Sequence, residues 1–431
     1  MKIYSYSEYD IDLLIKKLRS RDSSDRPDVT DSVKEIINEV RLTGDEALFK
    51  FTEKFDGVKL KNLEIDRDTL RKAYESLKPP LASAIERACE NIRKFHQRQK
   101  ENSWFECDEG GIILGQKITP LERIGVYVPG GTAPLPSSVL MNIIPAKVAG
   151  VGEVIMCTPP QKNGLPDPVI LACAYVTGAD RVFSAGGAQA VAAMAYGTET
   201  IPRVDKITGP GNIYVATAKK LLFGVCDIDM IAGPSEILVI ADENANPGYV
   251  AADLLSQAEH DILASAVLVS DSETLIKRVI SEIDRQVRRL SRKDIIARSI
   301  ENYGAAILVN SLEEAVAVSN LIAPEHLELM VKDPFSLLGS IKNAGAIFLG
   351  GYAPEPLGDY MAGPNHILPT NGTARFFSPL SVSDFTKKSS IISYSERALK
   401  DIYKDVVLFA ETEGLDAHAN SVRIRFEGDN E

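Results

Sequence analysis

Across 431 residues the chain has one tryptophan, five cysteines and five histidines. The cysteines (Cys89, Cys107, Cys157, Cys173, Cys226) are odd in number and show no CxxC spacing. That argues against a disulfide scaffold or a cysteine-built metal site and fits reduced, mostly buried thiols. No apolar run reaches the ~18 residues that a bilayer-spanning helix needs. The nearest, Val139–Cys157, is broken by Asn142, Pro145, Lys147 and Glu153. Met1–Asp10 is polar and has no apolar segment of the signal-peptide kind, so a cytoplasmic protein is expected. Positive charge is the scarcer sign: 48 basic against 60 acidic residues leave a formal charge of −12. Such a surface repels phosphate backbones and anionic lipids, so no nucleic-acid or membrane partner is expected. GxGxxG, HExxH and low-complexity segments are also missing.

What remains is a globular composition, 45% hydrophobic and 25% charged. Asp31–Lys54 and Asp66–Glu101 carry apolar residues at helical spacing, the second run cut by Pro79–Pro80. His96, among Arg93, Lys94, Gln97 and Arg98, is read as part of a solvated helix face with no catalytic role. From about Ile112 short β-branched runs alternate with helices. Ile124–Val128, Val154–Cys157 and Val182–Phe183 read as strands, with Ser137–Ala149, Pro168–Thr177 and Ala188–Tyr196 as helices. A second series has strands at Ile237–Ile240, Ala266–Val269, Ala305–Val309, Leu327–Val331 and Ala346–Leu349. Ser270 and Glu273 suggest a capping box, followed by one stripe of Leu275, Ile276, Val279, Ile280, Ile283 and Val287. The alternation predicts an α/β protein with two Rossmann-like parallel-sheet domains, a helical N-terminal region and an extended helical C-terminal tail. After about Ser381 the strand signal stops, and Ser395–Ala410 reads as a polar helix.

Four histidines sit among other polar groups: Gln257–Ala258–Glu259–His260, Pro324–Glu325–His326, Asp359 with Asn365–His366, and Glu413 with His418. Gln257 and His260, three apart near a helix end, can reach one point. Such nitrogen and oxygen donors suit a borderline divalent ion such as zinc. Histidines with ordinary satisfied hydrogen bonds are the other reading, and the spacing alone leaves both open. Gly130–Gly131, Gly186–Gly187 and Gly209–Pro210–Gly211 each follow a strand, and the last two open a helix. They read either as tight turns or as places where a phosphate can approach backbone N–H groups.

Ile228–Ala241, containing Ile231–Ala232–Gly233–Pro234–Ser235–Glu236, and Ala251–His260 resemble the signature segment of the histidinol dehydrogenase family. The agreement extends through Gly125–Gly131, Gly186–Ala190, Gly209–Asn212, Ala323–Leu327, Gly358–Tyr360, Asn365–His366 and Glu413–His418, and so covers nearly the whole chain. The resemblance implies one zinc ion per subunit on Gln257, His260, Asp359 and His418, and Glu325 and His326 as the proton-transfer pair. It implies substrate contacts from Ser235, His366 and Glu413 besides those six residues, Glu325 excepted, and NAD contacts from Tyr127, Gln189 and Asn212. The implied reaction is two successive NAD-dependent oxidations, L-histidinol to L-histidinal to L-histidine, in a homodimer with shared active sites. A zinc hydrolase and a non-catalytic binding protein are the rivals.

The expected division is an arm at 1–20, a discontinuous α/β domain of 21–126 and 237–380 with the metal ligands and catalytic pair, a cofactor-side domain at 127–236, and a tail at 381–431 serving the partner's site. Because neighbours in a regular strand face opposite ways, Glu325 and His326 can share a site only if the backbone there is irregular. Pro324 makes that reasonable.

Overall fold

The computed structural model describes residues 1–7, 11–21, 26–130 and 134–426. Gly131 of the first glycine turn lies outside them. Two compact units result, one of Met1–Gln99 with Leu121–Phe385, the other of Lys100–Pro120 with the chain from Thr386 on.

The larger unit contains two six-stranded sheets. In the first the order is Glu64–Ile65, Arg181–Ser184, Glu153–Thr158, Arg123–Tyr127, Lys206–Thr208, Asp227–Ile228. Only the Glu64–Ile65 edge strand is antiparallel. Its central strands are buried on both faces, so each face needs a helical cover. One is covered by the helices Arg67–Glu75, Pro79–Gln97, Pro136–Ala149 and Pro168–Thr177, the other by Pro27–Thr43, Asp45–Asp56, Gly187–Tyr196 and Ile213–Leu222.

The second sheet is wholly parallel, in the order Lys2–Ser5, Gly304–Leu308, Ser265–Ser270, Glu236–Ala241, His326–Met330, Ala346–Leu349. Helices Pro247–Ala258, Glu273–Gln286 and Lys293–Tyr303 cover one face, and Ile11–Arg19 and Leu312–Ile322 the other. All strands expected in both series are present.

The structure divides the chain differently from the sequence expectation. Residues 27–97 pack on the first sheet, because Val29, Val33, Ile36, Leu48 and Phe51 bury against Ile155 and Phe183 there, and Ile85 and Ile92 against Ile124 and Val126. The segment 1–20 is no arm over its described part: Lys2–Ser5 is an edge strand and Ile11–Arg19 a covering helix. Nor is His96 solvated. It is fully buried, its Nδ1 bonded to Gln99 Oε1 at 2.6 Å, and burial lowers its pKa. The cap of Glu273–Gln286 is Ser272, whose Oγ accepts from the Leu275 N–H, while Ser270 Oγ accepts from Ser272 N–H.

In the smaller unit Thr386–Tyr394 pairs along its length with Ile112–Pro120, which also pairs with Trp104–Cys107, all antiparallel. This nine-residue strand lies in a stretch without a strand signal, because Lys387, Lys388, Ser389 and Ser390 are exposed and mask the alternation. Helices Glu396–Thr412 and Asp416–Arg423 follow, joined through Gly414 in a left-handed conformation at φ +73°.

Candidate active site

The strand order of the first sheet reverses at Arg123–Tyr127, which lies between Glu153–Thr158 and Lys206–Thr208, and ligands of such sheets bind beyond the carboxyl ends at this kind of switch point. Tyr127 ends the central strand there. Its Oη accepts from the Gly187 N–H at 3.1 Å. Gly209, at φ +110°, lies so close to the Tyr127 carbonyl oxygen that a Cβ would collide with it. Asn212 caps Ile213–Leu222, its Oδ1 accepting from Tyr214 and Val215 N–H at 3.0 and 3.2 Å. Gln189 is buried in the first turn of Gly187–Tyr196. Thus Tyr127, Gln189 and Asn212 all lie at or just past strand carboxyl ends of one sheet.

The histidine cluster belongs to the second sheet and sits at the opposite, amino ends of its strands. Ala323 takes a left-handed conformation at φ +56°, the backbone bends at Glu325, and the strand starts only at His326. This is the irregularity that the side-by-side use of Glu325 and His326 requires. One residue of the adjacent strand holds both: Glu236 N–H donates to Glu325 Oε2 at 2.8 Å, and His326 Nδ1 lies 2.9 Å from the Glu236 carbonyl oxygen. A carbonyl only accepts, so Nδ1 carries the proton and Nε2 the lone pair. Nε2 faces Glu355 Oε1 at 3.7 Å, and one ligand atom each of His326, Glu355 and Asp359 fall within 4.8 Å of one another.

Electrostatics separate these groups. Burial lowers the His326 pKa to about 4, opposed by Asp359. Burial also raises Glu325 well above the carboxylate range, the charges of Glu236, Asp359 and Glu355 adding to it, against the Glu236 N–H. Glu355 is pushed up to about 9 by burial and by Asp359. Burial pushes Asp359 upward too, but His366, with Nδ1 at 3.5 Å, and His326 outweigh it and hold the pKa below the ordinary value.

Gln257 stands in the last turn of Pro247–Ala258, 1% exposed, and its Oε1 has no hydrogen-bond partner among the described residues. The chain turns once more, His260 N–H donating to the Gln257 carbonyl at 3.2 Å, and the exposed His260 acts on the His326 pKa electrostatically. Ser256 Oγ, beside Gln257, lies 3.4 Å from Glu355 Oε2 and ties this helix to the short helix Glu355–Tyr360 that carries Asp359. Ser235 is half-buried immediately before Glu236. Glu413 and His418 belong to the smaller unit, at the end of Glu396–Thr412 and within Asp416–Arg423, both exposed. Sequence reading missed Glu355, although its i,i+4 spacing from Asp359 on a helix was available. It also missed that Glu236 holds the pair through its main chain, which leaves no mark in a sequence.

A buried imidazole with its Nε2 turned toward Glu355, set among buried carboxylates, is thus assembled at the amino ends of one sheet of a two-sheet α/β protein. Residues 19–426 match the family model described as histidinol dehydrogenase. The histidinol dehydrogenase of Clostridium acetobutylicum is 53% identical over 99% of both chains, and that of Bacillus cereus (ATCC 14579) 55% identical over 96% of both. A crystal structure of histidinol dehydrogenase from Elizabethkingia anophelis superposes with TM-score 0.94 at 39% identity, covering 100% of this chain and 99% of that one. The chain belongs to the histidinol dehydrogenase family.

Proposed function

We propose that this chain oxidises L-histidinol through L-histidinal to L-histidine with two NAD⁺, the closing steps of histidine biosynthesis, in the cytoplasm. The observation that carries the reading is the His326 imidazole, its Nδ1 tied to the Glu236 carbonyl and its Nε2 left as acceptor.

The residues fit both groups that the reaction requires. Gln257, His260 and Asp359 supply oxygen and nitrogen donors, and the orphaned Gln257 Oε1 is a buried acceptor in want of a partner. The fourth donor is His418. The glycine turns at Gly186–Gly187 and Gly209–Gly211 lead into the N-termini of Gly187–Tyr196 and Ile213–Leu222, the kind of helix end that favours a dinucleotide's phosphates. Bound zinc would hold the substrate's amine and imidazole and offset the crowding of carboxylates, while bound NAD⁺ would take the hydride.

The chain's own residues do the rest. His326 Nε2, neutral at working pH, accepts the carbinol proton as hydride departs. Glu325, fixed by the Glu236 N–H and kept ionised by the positive charge that bound zinc would bring, takes a proton from the water that adds to the aldehyde. Ser235, His366 and Glu413 orient the substrate, and Tyr127, Gln189 and Asn212 line the cofactor.

The working form is a homodimer in which His418 and Glu413 complete the partner's site. Supporting this, the smaller unit leaves Phe105, Ile392, Leu408, Phe409 and Ile424 more than half exposed, apolar side chains that a second copy would cover. Stopped-flow absorbance at the NADH band tests the reading. Two NADH per histidinol consumed is expected, and no NADH with purified zinc-loaded protein would overturn it.

A further inference from the structure

Arg21 follows the covering helix Ile11–Arg19 and is separated from Glu236 by 215 positions, yet the two form a buried ion pair with side chains 1% and 7% exposed. The same guanidinium donates through Nη1 to the Leu263 carbonyl at 2.8 Å and the Ser235 carbonyl at 3.4 Å. Glu236 Oε1 accepts in addition from Asn371 N–H at 3.1 Å. Arg21 therefore grips Ser235 by its main chain and Glu236 by its side chain. The Glu236 main chain in turn bonds Glu325 through its N–H and His326 through its carbonyl.

We propose that Arg21 is a positioning residue for the catalytic pair: its buried contact with Glu236 fixes the one main-chain unit that orients both Glu325 and His326. The proposal rests on those two residues being the proton-transfer groups. Arg21 bonds none of the residues proposed to hold zinc or NAD, so loosening it should move the rate and spare those two affinities. With Nε donating to the Leu18 carbonyl at 2.5 Å, the planar fork spreads its hydrogen bonds over four acceptors at once, and a lysine ammonium can replace only some of them.

The test compares Arg21→Met, Arg21→Lys and the double variant Arg21→Met/Glu236→Gln with the parent, all full-length and zinc-loaded. The double variant leaves no buried charge unpaired and is the one read if Arg21→Met fails to fold. Expected for it is a kcat lower by roughly 10–100-fold, the scale of a misplaced catalytic group, with zinc affinity and KM for NAD⁺ within about threefold of the parent. Arg21→Lys should recover part of kcat. Hydrogen–deuterium exchange of the 231–241 segment should speed up in step, a readout that does not depend on what the enzyme oxidises. A folded double variant with parental kcat and parental protection would overturn the proposal. So would a kcat loss matched by equal losses of zinc and NAD⁺ affinity, the mark of general damage. Absence of NADH formation by the parent would instead strike the functional reading.

Discussion

Lys219 and Asp229 form a buried ion pair beneath the Gly209 turn, their side chains 4% and 1% exposed. Lys219 Nζ donates to the Gly209 carbonyl at 3.0 Å, and Asp229 Oδ2 accepts from Gly209 N–H at 2.8 Å, so the pair clamps both polar ends of one glycine. Removing one partner strands a buried charge. Lys219→Met should destabilise by about 3–5 kcal/mol, and the folded remainder should bind NAD⁺ more weakly because Asn212 follows that turn. Denaturant melts and a fluorescence titration with NAD⁺ check both; unaltered NAD⁺ affinity would detach the turn from the cofactor.

His326→Asn should slow both oxidations by about 10²–10⁴-fold, the usual effect of losing a general base. Glu325→Gln should impair the aldehyde step at least as much as the alcohol step. Supplying histidinal directly separates the halves, and a normal rate from histidinal in Glu325→Gln would remove the water-activating role.

Metal removal should abolish turnover and leave the fold largely intact, because the two sheets are supported by their own apolar layers rather than by the site. Zinc content, circular dichroism and activity after chelation decide this. Full activity in a verified zinc-free sample would end the zinc assignment.

Asp56 ends the helix Asp45–Asp56, where the macrodipole disfavours a carboxylate. Burial raises its pKa from 3.8 to about 6, and Oδ2 has no hydrogen-bond partner among the described residues. The folded state therefore holds this proton more tightly than the unfolded one, and stability is lost as pH rises from about 4 to about 6. Since the group is partly exposed, Asp56→Asn should gain about 1 kcal/mol at pH 7–8 after allowing for solvent screening. At pH 4 the gain should vanish. Melting temperatures at the two pH values are the measurement, and an equal gain at both would point to a cause other than ionisation.

Mixing inactive His326→Asn and His418→Asn chains by joint refolding tests the shared site. If His418 serves the partner, each mixed dimer has one site with both defects and one with neither. Random pairing makes half the dimers mixed, so activity should return to roughly a quarter of the parent's. No recovery, with mixed dimers verified by mass spectrometry, would confine His418 to its own chain.

Period-two and period-3.6 patterning in the sequence was enough to place the main strands of both α/β series, though not the two-residue edge strands Glu64–Ile65 and Asp227–Ile228, because burial on a regular element repeats at short range. Pro324 marked the irregular backbone before His326. The sequence did not say which sheet the helices 27–97 cover, that Lys2–Ser5 closes an edge beside Gly304–Leu308, or that His96 is buried. Lysines and serines also hid the strand Thr386–Tyr394, whose existence depends on pairing with Ile112–Pro120. Only the tertiary structure set Arg21 against Glu236, and Glu236 against both Glu325 and His326. Bonds made by a main-chain N–H and carbonyl demand no particular side chain, and partners more than two hundred positions apart share no local pattern to read.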